Sequence, residues 1–444
     1  MSEQRTAPRR TGRWIDHWEP EDPGFWAATG RRVATRNLVF SIFVEHLGFA
    51  IWLLWSAIVV LLPKAGFPFT VDQLFWLVAV PNLVGATLRL PYTFAVSAFG
   101  GRNWNVASAL LLLLPVGLLA WMVTDAATPY WMFLIAAAVA GFGGGNFASS
   151  MANVSYFYPE RHKGFALGVN AAGGNLGVAV VQLLIPLVAS AGLVYAGLVW
   201  VVPIVAAAMC AYFFMDNLAV AKTDFGTQGR AFLRKHTWVM SFLYIGTFGS
   251  FIGYSAAFPL VVNATFAESA SPYFAFLGPL VGSLSRPVGG WLADRYGGAR
   301  VTAWSFMAMA VGVVGALAGL GQHGFPLFLS AFLLLFTASG IGNGSTYRMI
   351  PAIFTIQAAH GEPDARLRAR REAAAAIGIA SSIGAFGGFL IPRGFAISIG
   401  QTGSIDLALY VFVAGYAVFL ATNWWFYRRR VLLTRIPSLA HSRI

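Results

Sequence analysis

The sequence predicts an all-α membrane protein whose twelve transmembrane helices form two pseudo-symmetric six-helix halves. Hydrophobic residues make up 57% of its 444 residues and charged residues only 11%, whereas soluble domains carry about 25% charged residues. Apolar runs recur roughly every 30 residues, and each can cross a bilayer core of about 30 Å as a helix. Motifs of the first six runs return in the last six. These observations exclude a soluble globular domain.

Each predicted element is one of these apolar runs, and polar or charged segments separate them. The longest central polar stretch, 215–235, divides the sixth run from the seventh. We expect helices at residues 37–62, 73–98, 105–123, 129–156, 164–190, 193–214, 236–262, 271–293, 301–320, 325–350, 373–399 and 406–427.

The basic residues are distributed unevenly along the chain. With a cytoplasmic N-terminus, the predicted cytoplasmic segments hold 25 of the 30 Lys and Arg residues, as the positive-inside rule requires. The net charge of +13 therefore reflects topology, and we expect no nucleic-acid partner. We expect a multi-pass protein of the cytoplasmic (inner) membrane with both termini cytoplasmic. Its predicted parts are an N-terminal segment 1–36, a first half 37–214, a linker 215–235, a second half 236–427 and a tail 428–444.

Glycines repeat between the halves at a constant separation of 210 positions. The matching triplets are Gly168, Gly174 and Gly177 in the fifth span and Gly378, Gly384 and Gly387 in the eleventh. Two related six-helix halves with a site between them near the midplane are a common plan of secondary transporters.

The same two spans contain glycines four residues apart, Gly173 with Gly177 and Gly384 with Gly388. This spacing lets helix backbones approach closely and slide. We expect these four glycines to take part in conformational change.

Two arginines occupy matching places inside the spans. Arg89 lies in GATLRLPY (85–92) of span 2 and Arg286 in span 8. An Arg at a helix centre costs about 2.5–3.5 kcal/mol on insertion scales, yet only Glu45 of the 17 acidic residues lies well inside a span. One carboxylate cannot neutralise two guanidiniums, so a further negative charge is needed, and an anionic substrate between the halves can supply it. The planar fork of arginine suits a small planar oxyanion, so the sequence predicts an anion-binding site.

Each intramembrane arginine also has a structural alternative. Arg89 can snorkel to the inner interface, and Arg286 can hydrogen-bond backbone carbonyls of a neighbouring helix. Arg348 lies next to the cytoplasmic end of span 10, where we expect interfacial anchoring.

Several stretches resemble a known family. GGWLADRYGGAR (289–300) resembles the loop motif of major facilitator transporters, and its Asp294 is expected to accept bonds from a neighbouring helix end or an Arg. GGGNFASSMANVSYFYPERHKGFALGVNAAGGNLG (143–177) and AAAAIGIASSIGAFGGFLIP (373–392) resemble the two signature regions of the nitrate/nitrite porter family, the NarK-type branch of that superfamily. The resemblance extends from about residue 18 to residue 427 and implies the major facilitator fold.

The resemblance also implies nitrate and nitrite as substrates and assigns the site. The substrate-binding arginines of the family fall on Arg89 and Arg286. Its other substrate-binding positions are aromatic, glycine or polar, and they fall on Phe147, Phe248, Tyr244, Gly174, Asn175 and Ser382. From the residues alone, the two phenylalanines are also consistent with ordinary helix packing, and Asn175 is also consistent with an interhelical hydrogen bond.

Two modes of transport remain open. An exchanger needs no titratable group, and the scarcity of acids in the spans favours exchange of nitrate for nitrite. A proton symporter needs a group that titrates on the path, and Glu45 and His46 in span 1 are the candidates. Glu45 has a simpler alternative, which is pairing with an Arg of the cytoplasmic rim.

Other classes are disfavoured by the same residues. The seven histidines have no metal-ligand spacing and no catalytic motif occurs, so we expect neither an enzyme nor a metal or cofactor. The lone Cys210 excludes an internal disulfide. A sensor would need a signalling extension longer than these tails, and the paired repeats disfavour a channel. We expect a monomer in the lipid bilayer.

Overall fold

The protein is almost entirely helical. The computed structural model describes residues 13–221, 225–266, 272–357, 363–429 and 439. Outside the described residues lie the other parts of the predicted terminal segments and of the linker. The first residue of the predicted eighth span lies there too. The predicted boundaries between these parts therefore stay predictions.

The first half contains six long helices that run up and down in sequence order. They are α1 (Arg31–Trp52, continued by Leu54–Ile58), α2 (Val71–Phe99), α3 (Gly101–Met122), α4 (Tyr130–Phe157), α5 (Glu160–Ala189) and α6 (Tyr195–Phe214).

The second half repeats this arrangement. Its helices are α7 (Lys235–Phe266), α8 (Leu277–Tyr296), α9 (Gly298–Gly321), α10 (Phe325–Gln357), α11 (Pro363–Ala385, continued by Gly387–Thr402) and α12 (Asp406–Arg428). The expected all-α class with twelve long helices is confirmed for the described residues.

Short elements connect or precede these helices. They are strand β1 (Trp14–Ile15), strand β2 (Asn217–Leu218), and the helical segments Pro23–Phe25, Trp26–Gly30, Pro63–Ala65, Phe225–Leu233 and Pro272–Phe276. Asp22 caps the first of the helical segments by accepting from the backbone N of Gly24 at 2.8 Å. The helical run therefore begins well before the predicted residue 37.

Ten helices of the described chain are long and apolar enough to cross a membrane. α1 and α8 do not meet this criterion, although both belong to the twelve. They carry the charged residues Glu45 and Arg286, which lower the mean hydropathy. The sequence had predicted these two spans, and the two charges of the expected site are among the polar residues that weaken their apolar character.

The turns between the second and third helices of each half have the same conformation. Gly100 follows α2 with a φ of 87°, and Gly297 follows α8 with a φ of 89°. Only glycine adopts this region readily. These two positions lie 197 residues apart, which is also the separation of Arg89 and Arg286.

Helices within each half cross where glycines remove the side chain. A Cβ on Gly144 of α4 would lie 2.8 Å from the Cα of Gly85 in α2. In α7, residues Ile245–Gly249 form a π-helical turn, and Gly249 packs against the backbone of Gly387 in α11. π-turns inside α-helices occur often at functional sites, and this one lies between Tyr244 and Ser250.

β1 and β2 pair in parallel and mark one end of the bundle, called here the linker end. Asp216, just before β2, accepts from Arg36 at 2.5 Å and from Asn37 at 3.1 Å. These bonds tie the chain after α6 to the beginning of α1.

The two halves contact each other along α2 and α11, and between α5 and α8. Gln182 of α5 donates to the backbone O of Ser255 in α7 at 2.6 Å. Arg393 of α11 pairs with Asp72 of α2 at 2.8 Å, at the end opposite to the linker end.

Candidate anion-binding site

Arg89 is completely buried between the halves. Its Nε donates to the backbone O of Gly144 at 3.2 Å, and its Nη1 donates to the backbone O of Ser381 at 2.9 Å. The guanidinium thus bridges α4 of one half and α11 of the other. The interfacial alternative for Arg89 is wrong, because the side chain does not reach any surface.

Arg286 lies in α8 and is 4% exposed. Its Nη2 donates to the hydroxyl of Tyr244 at 3.4 Å. Its guanidinium carbon lies 5.6 Å from the centre of the Phe147 ring, which belongs to the other half. The alternative for Arg286 was hydrogen bonding to backbone carbonyls of a neighbouring helix. Among the described residues, Arg89 forms such bonds and Arg286 does not.

Aromatic rings enclose the guanidiniums. Phe147 and Phe248 come from different halves and stack with ring centroids 6.1 Å apart and an interplanar angle of 23°. The guanidinium carbon of Arg89 lies 4.5 Å from the first ring and 4.8 Å from the second. Tyr244 stacks on Phe248 at 5.3 Å. The structure therefore brings together all five of the predicted arginine and aromatic residues.

Two further aromatic residues touch the arginines and were not predicted. The ring of Trp52 in α1 lies 5.2 Å from the guanidinium carbon of Arg89, and that of Tyr347 in α10 lies 5.5 Å from that of Arg286. Trp52 is held by a bond from its Nε1 to the backbone O of Pro81 at 2.9 Å. No sequence signal distinguishes it among the 15 tryptophans.

Neither arginine forms an ion pair with a carboxylate within the described residues. Glu45 is the acidic side chain that interacts electrostatically with both guanidiniums, and it is fully buried. Its Oε2 accepts from Nδ2 of Asn170 at 2.5 Å. The alternative of a rim arginine as its partner is wrong. Nδ1 of His46 faces the backbone O of Gly173 at 3.0 Å.

Three other predicted site residues, Gly174, Asn175 and Ser382, lie around this centre and form no hydrogen bond with either arginine in the described chain. Gly174 packs against the carboxyl of Glu45. Asn175 is fully buried, and neither atom of its amide has a hydrogen-bond partner among the described residues. The hydroxyl of Ser382 donates to the backbone O of Ala86 at 2.7 Å, three residues before Arg89.

The residues expected to take part in conformational change lie at helix contacts. Gly177 packs on the backbone of His46. A Cβ on Gly173 would lie 2.5 Å from the side chain of Ile42. A Cβ on Gly384 would lie 2.5 Å from the ring of Tyr244.

The two remaining members of this group, Asp294 and Gly388, lie on α8 and α11. A Cβ on Gly388 would meet Asn82 of α2 at 2.6 Å. Asp294 pairs with Arg348 at 2.5 Å, and both side chains are about half exposed. The expectation that Asp294 accepts from an arginine is consistent with this bond. No group of three His, Cys, Asp or Glu side chains with metal-binding geometry occurs in the described residues.

A bundle of two six-helix halves with a buried arginine pair at their interface defines a membrane protein of the major facilitator type. Residues 39–392 match the family model of the Major Facilitator Superfamily. The nitrate/nitrite transporter NarU of Salmonella typhimurium is 40% identical, over 94% of this chain and 96% of its own length. The probable nitrate/nitrite antiporter NarK2 of Thermus thermophilus is 37% identical, over 94% of this chain and 97% of its own length. The chain belongs to the nitrate/nitrite porter family of the Major Facilitator Superfamily, as its motifs predicted.

Solved structures agree on the fold. The xylose transporter XylE of E. coli, in a partially occluded inward-open conformation, has a TM-score of 0.69 and covers 89% of this chain and 99% of its own. At 12% identity this likeness concerns the fold alone. The expected major facilitator fold is confirmed.

Proposed function

We propose that this chain exchanges nitrate for nitrite across the cytoplasmic membrane by alternating access. The observation that carries the proposal is the pair of buried guanidiniums, one from each half, without a carboxylate ion pair among the described residues. Each buried charge costs about 2.5–3.5 kcal/mol unless it is neutralised. A monovalent anion between the halves supplies a negative charge and oxygen acceptors that both guanidiniums share, and the names of the NarU and NarK2 relatives supply its identity.

In the proposed binding mode the flat anion lies between Arg89 and Arg286. The rings of Phe147 and Phe248 enclose it, and the two guanidinium forks donate to its oxygens. Nη2 of Arg89 and Nη1 of Arg286 have no hydrogen-bond partner in the described chain, so each fork retains a free donor. Tyr244 adds a hydroxyl next to Arg286. Asn175, Gly174 and Ser382 stay proposed members of the site.

Exchange follows from the charge of the empty carrier. With no anion, reorientation would move two poorly compensated guanidiniums through a low-dielectric centre. The carrier therefore changes its conformation readily only when an anion is bound, which couples influx of one anion to efflux of another. In this proposal the contact of Gly388 with Asn82 lies between the halves as they rock, and the other glycine contacts of α5 and α11 let helices within each half slide.

We place the linker end in the cytoplasm, because the predicted cytoplasmic segments hold 25 of the 30 basic residues. Both termini are then cytoplasmic. The protein acts as a monomer in the bilayer, as a transporter rather than an enzyme, and needs no nucleic acid, metal or cofactor.

Proton-coupled nitrate uptake is the second candidate. One observation favours it: Glu45 is fully buried and its Oε1 has no hydrogen-bond partner in the described chain. A buried carboxyl of this kind is suited to take up and release a proton during the cycle. His46 lies beside it in sequence.

The test is nitrate uptake into proteoliposomes that contain the purified chain, with or without nitrite inside, at zero and at imposed pH gradients. The proposal predicts that internal nitrite is required and that the gradient has no effect. Accumulation of nitrate in empty vesicles under an inward proton gradient would establish the symport alternative. Absence of nitrate movement under every condition would reject both.

A further inference from the structure

We propose that Asn146 and Asn343 are two further substrate-binding residues, one contributed by each half beside the arginine of that half. The proposal rests on the proposed anion transport and extends it. Each carboxamide donates an N–H to the bound anion, so that each half presents a matched arginine and asparagine.

The first argument is the register of the internal symmetry. Arg286 lies 197 positions after Arg89, and Asn343 lies 197 positions after Asn146. The turn glycines Gly100 and Gly297 have this separation too, and their φ angles differ by only two degrees (87° and 89°). The pseudo-two-fold relation that pairs the arginines therefore also pairs the asparagines.

The second argument is burial without a partner. Asn146 is 2% exposed and Asn343 is 0% exposed. Neither the nitrogen nor the oxygen of either amide has a hydrogen-bond partner among the described residues. Buried amides of native proteins are almost always bonded, and an unbonded one requires an explanation such as a ligand. The two amides share this property although they lie in different halves.

The third argument is that Asn146 belongs to the turn of α4 that contacts the first arginine. It follows Gly144, whose carbonyl accepts from Arg89, by two residues, and it immediately precedes Phe147, whose ring covers the same guanidinium. Its Nδ2 lies 2.9 Å from the Cβ position of Gly48 in α1. The amide therefore packs against α1, on the turn of α4 that contacts the arginine, and only a small residue of α1 leaves room for it.

Asn343 has the corresponding position in the second half. It lies one helical turn before Tyr347, so both share a face of α10, and the Tyr347 ring lies 5.5 Å from the guanidinium carbon of Arg286. The next residue, Gly344, packs on the backbone O of Arg286. This glycine contact brings α10 and its amide against the helix that carries the arginine.

Amide donors fit the chemistry of the site. They add hydrogen bonds for an oxyanion without adding a third positive charge, which would increase the desolvation cost of the empty carrier. Nitrate has three oxygens in one plane. Two guanidinium forks that approach from opposite sides leave some lone pairs of these oxygens without a donor. Two amides from opposite halves supply the additional donors.

The experiment measures nitrate and nitrite affinity of the purified full-length chain by isothermal titration calorimetry. Asn146→Ala and Asn343→Ala should each weaken nitrate binding about tenfold or more, because a hydrogen bond to a charged group is lost. Asn105→Ala is the matched control: Asn105 is equally buried, but its Nδ2 donates to the backbone O of Gly101 at 2.8 Å in α3. This control should unfold at a lower temperature and keep the nitrate affinity of the unsubstituted chain.

The variants Asn146→Asp and Asn343→Asp keep the side-chain shape and decide the matter where an alanine variant does not fold. Their carboxylates repel the anion, so nitrate binding should disappear. Nitrate affinity within about twofold of the unsubstituted chain, in the Ala or the Asp variants, would overturn this inference alone. If the unsubstituted chain does not bind nitrate, the proposed function falls as well.

Discussion

Arg89 and Arg286 have different surroundings within one site. Arg89 donates to two backbone carbonyls, from Gly144 and Ser381, whereas Arg286 has one long contact with the hydroxyl of Tyr244. Carbonyls on either side hold the first guanidinium in place. The second guanidinium has more free donors and is the one that can follow the anion as the halves move.

Arg286→Lys should weaken nitrate binding about 10- to 100-fold, although the charge is kept, because a charge-assisted hydrogen bond contributes roughly 1.5–3 kcal/mol. Nitrate titration of the purified variant by calorimetry measures this loss. Arg300→Lys is the matched control, because Arg300 is exposed at the beginning of α9, and its affinity should be unchanged. An Arg286→Lys variant that binds nitrate normally would remove this residue from the site.

Glu45→Gln tests the role of the buried carboxyl. Glutamine has the same size and can accept the bond from Asn170, so nitrate/nitrite exchange without a pH gradient should persist. The measurement is exchange in proteoliposomes across a series of pH values, with Glu160→Gln as a control because Glu160 is exposed on α5. Proton-driven uptake that occurs in the unsubstituted chain and vanishes in Glu45→Gln would instead assign proton coupling to this residue.

At the scale of the helices, the repeated glycines are of two kinds. Gly177 and Gly387 pack directly on the backbone of another helix, against His46 and Gly249. Gly168 has no atom within 4 Å of its Cβ position. The repeat thus combines glycines that permit a helix crossing with a glycine that faces open space, and the sequence does not distinguish them.

Gly177→Ala should therefore cost about 1–3 kcal/mol of stability, because the new methyl group meets the backbone of α1. Gly168→Ala in the same helix should be neutral or stabilising by about 0.5–1 kcal/mol, since alanine restricts the unfolded chain more than glycine does. Thermal unfolding in detergent measures stability, and the exchange rate in vesicles measures the sliding contact. Equal effects of the two substitutions would contradict the assignment of a close contact to Gly177.

At the scale of the whole molecule, the two halves are joined by an ion pair at the end opposite to the linker end. Arg393 donates to Asp72 at 2.8 Å, and its guanidinium carbon lies 4.1 Å from the ring centre of Trp76. These contacts link α2 to α11. In the proposed alternating-access cycle this end opens, and we expect the pair to separate each time.

Asp72→Asn should favour the conformation that is open at this end, by about 1 kcal/mol or less, as expected for a partly exposed pair. The measurement is the labelling rate of a cysteine placed at Ala79 in α2, in a Cys210→Ser background, with a maleimide that does not cross membranes. The rate should increase up to roughly fivefold. The double variant Asp72→Arg with Arg393→Asp should restore the original rate, and a rate that does not respond to either change would exclude this pair as a latch.

The residues of the site were predicted unevenly, for a physical reason. Arg89 and Arg286 are recognisable because a charge in an apolar run is costly and therefore informative. Phe147 and Phe248 were assigned only through the family resemblance, since aromatic residues are abundant in the spans. Trp52 was missed, because its contact with the guanidinium depends on how α1 is rotated against α2.

The sequence by itself determined the number of helices, the division into two halves and the two arginines, because hydropathy, charge distribution and repeat spacing are properties of the chain read in order. Only the tertiary structure decided which side chains meet. It showed that Arg89 bridges the halves through carbonyls and that Glu45 bonds to Asn170. Such contacts depend on the rotation and separation of packed helices, to which residues far apart in the chain contribute together.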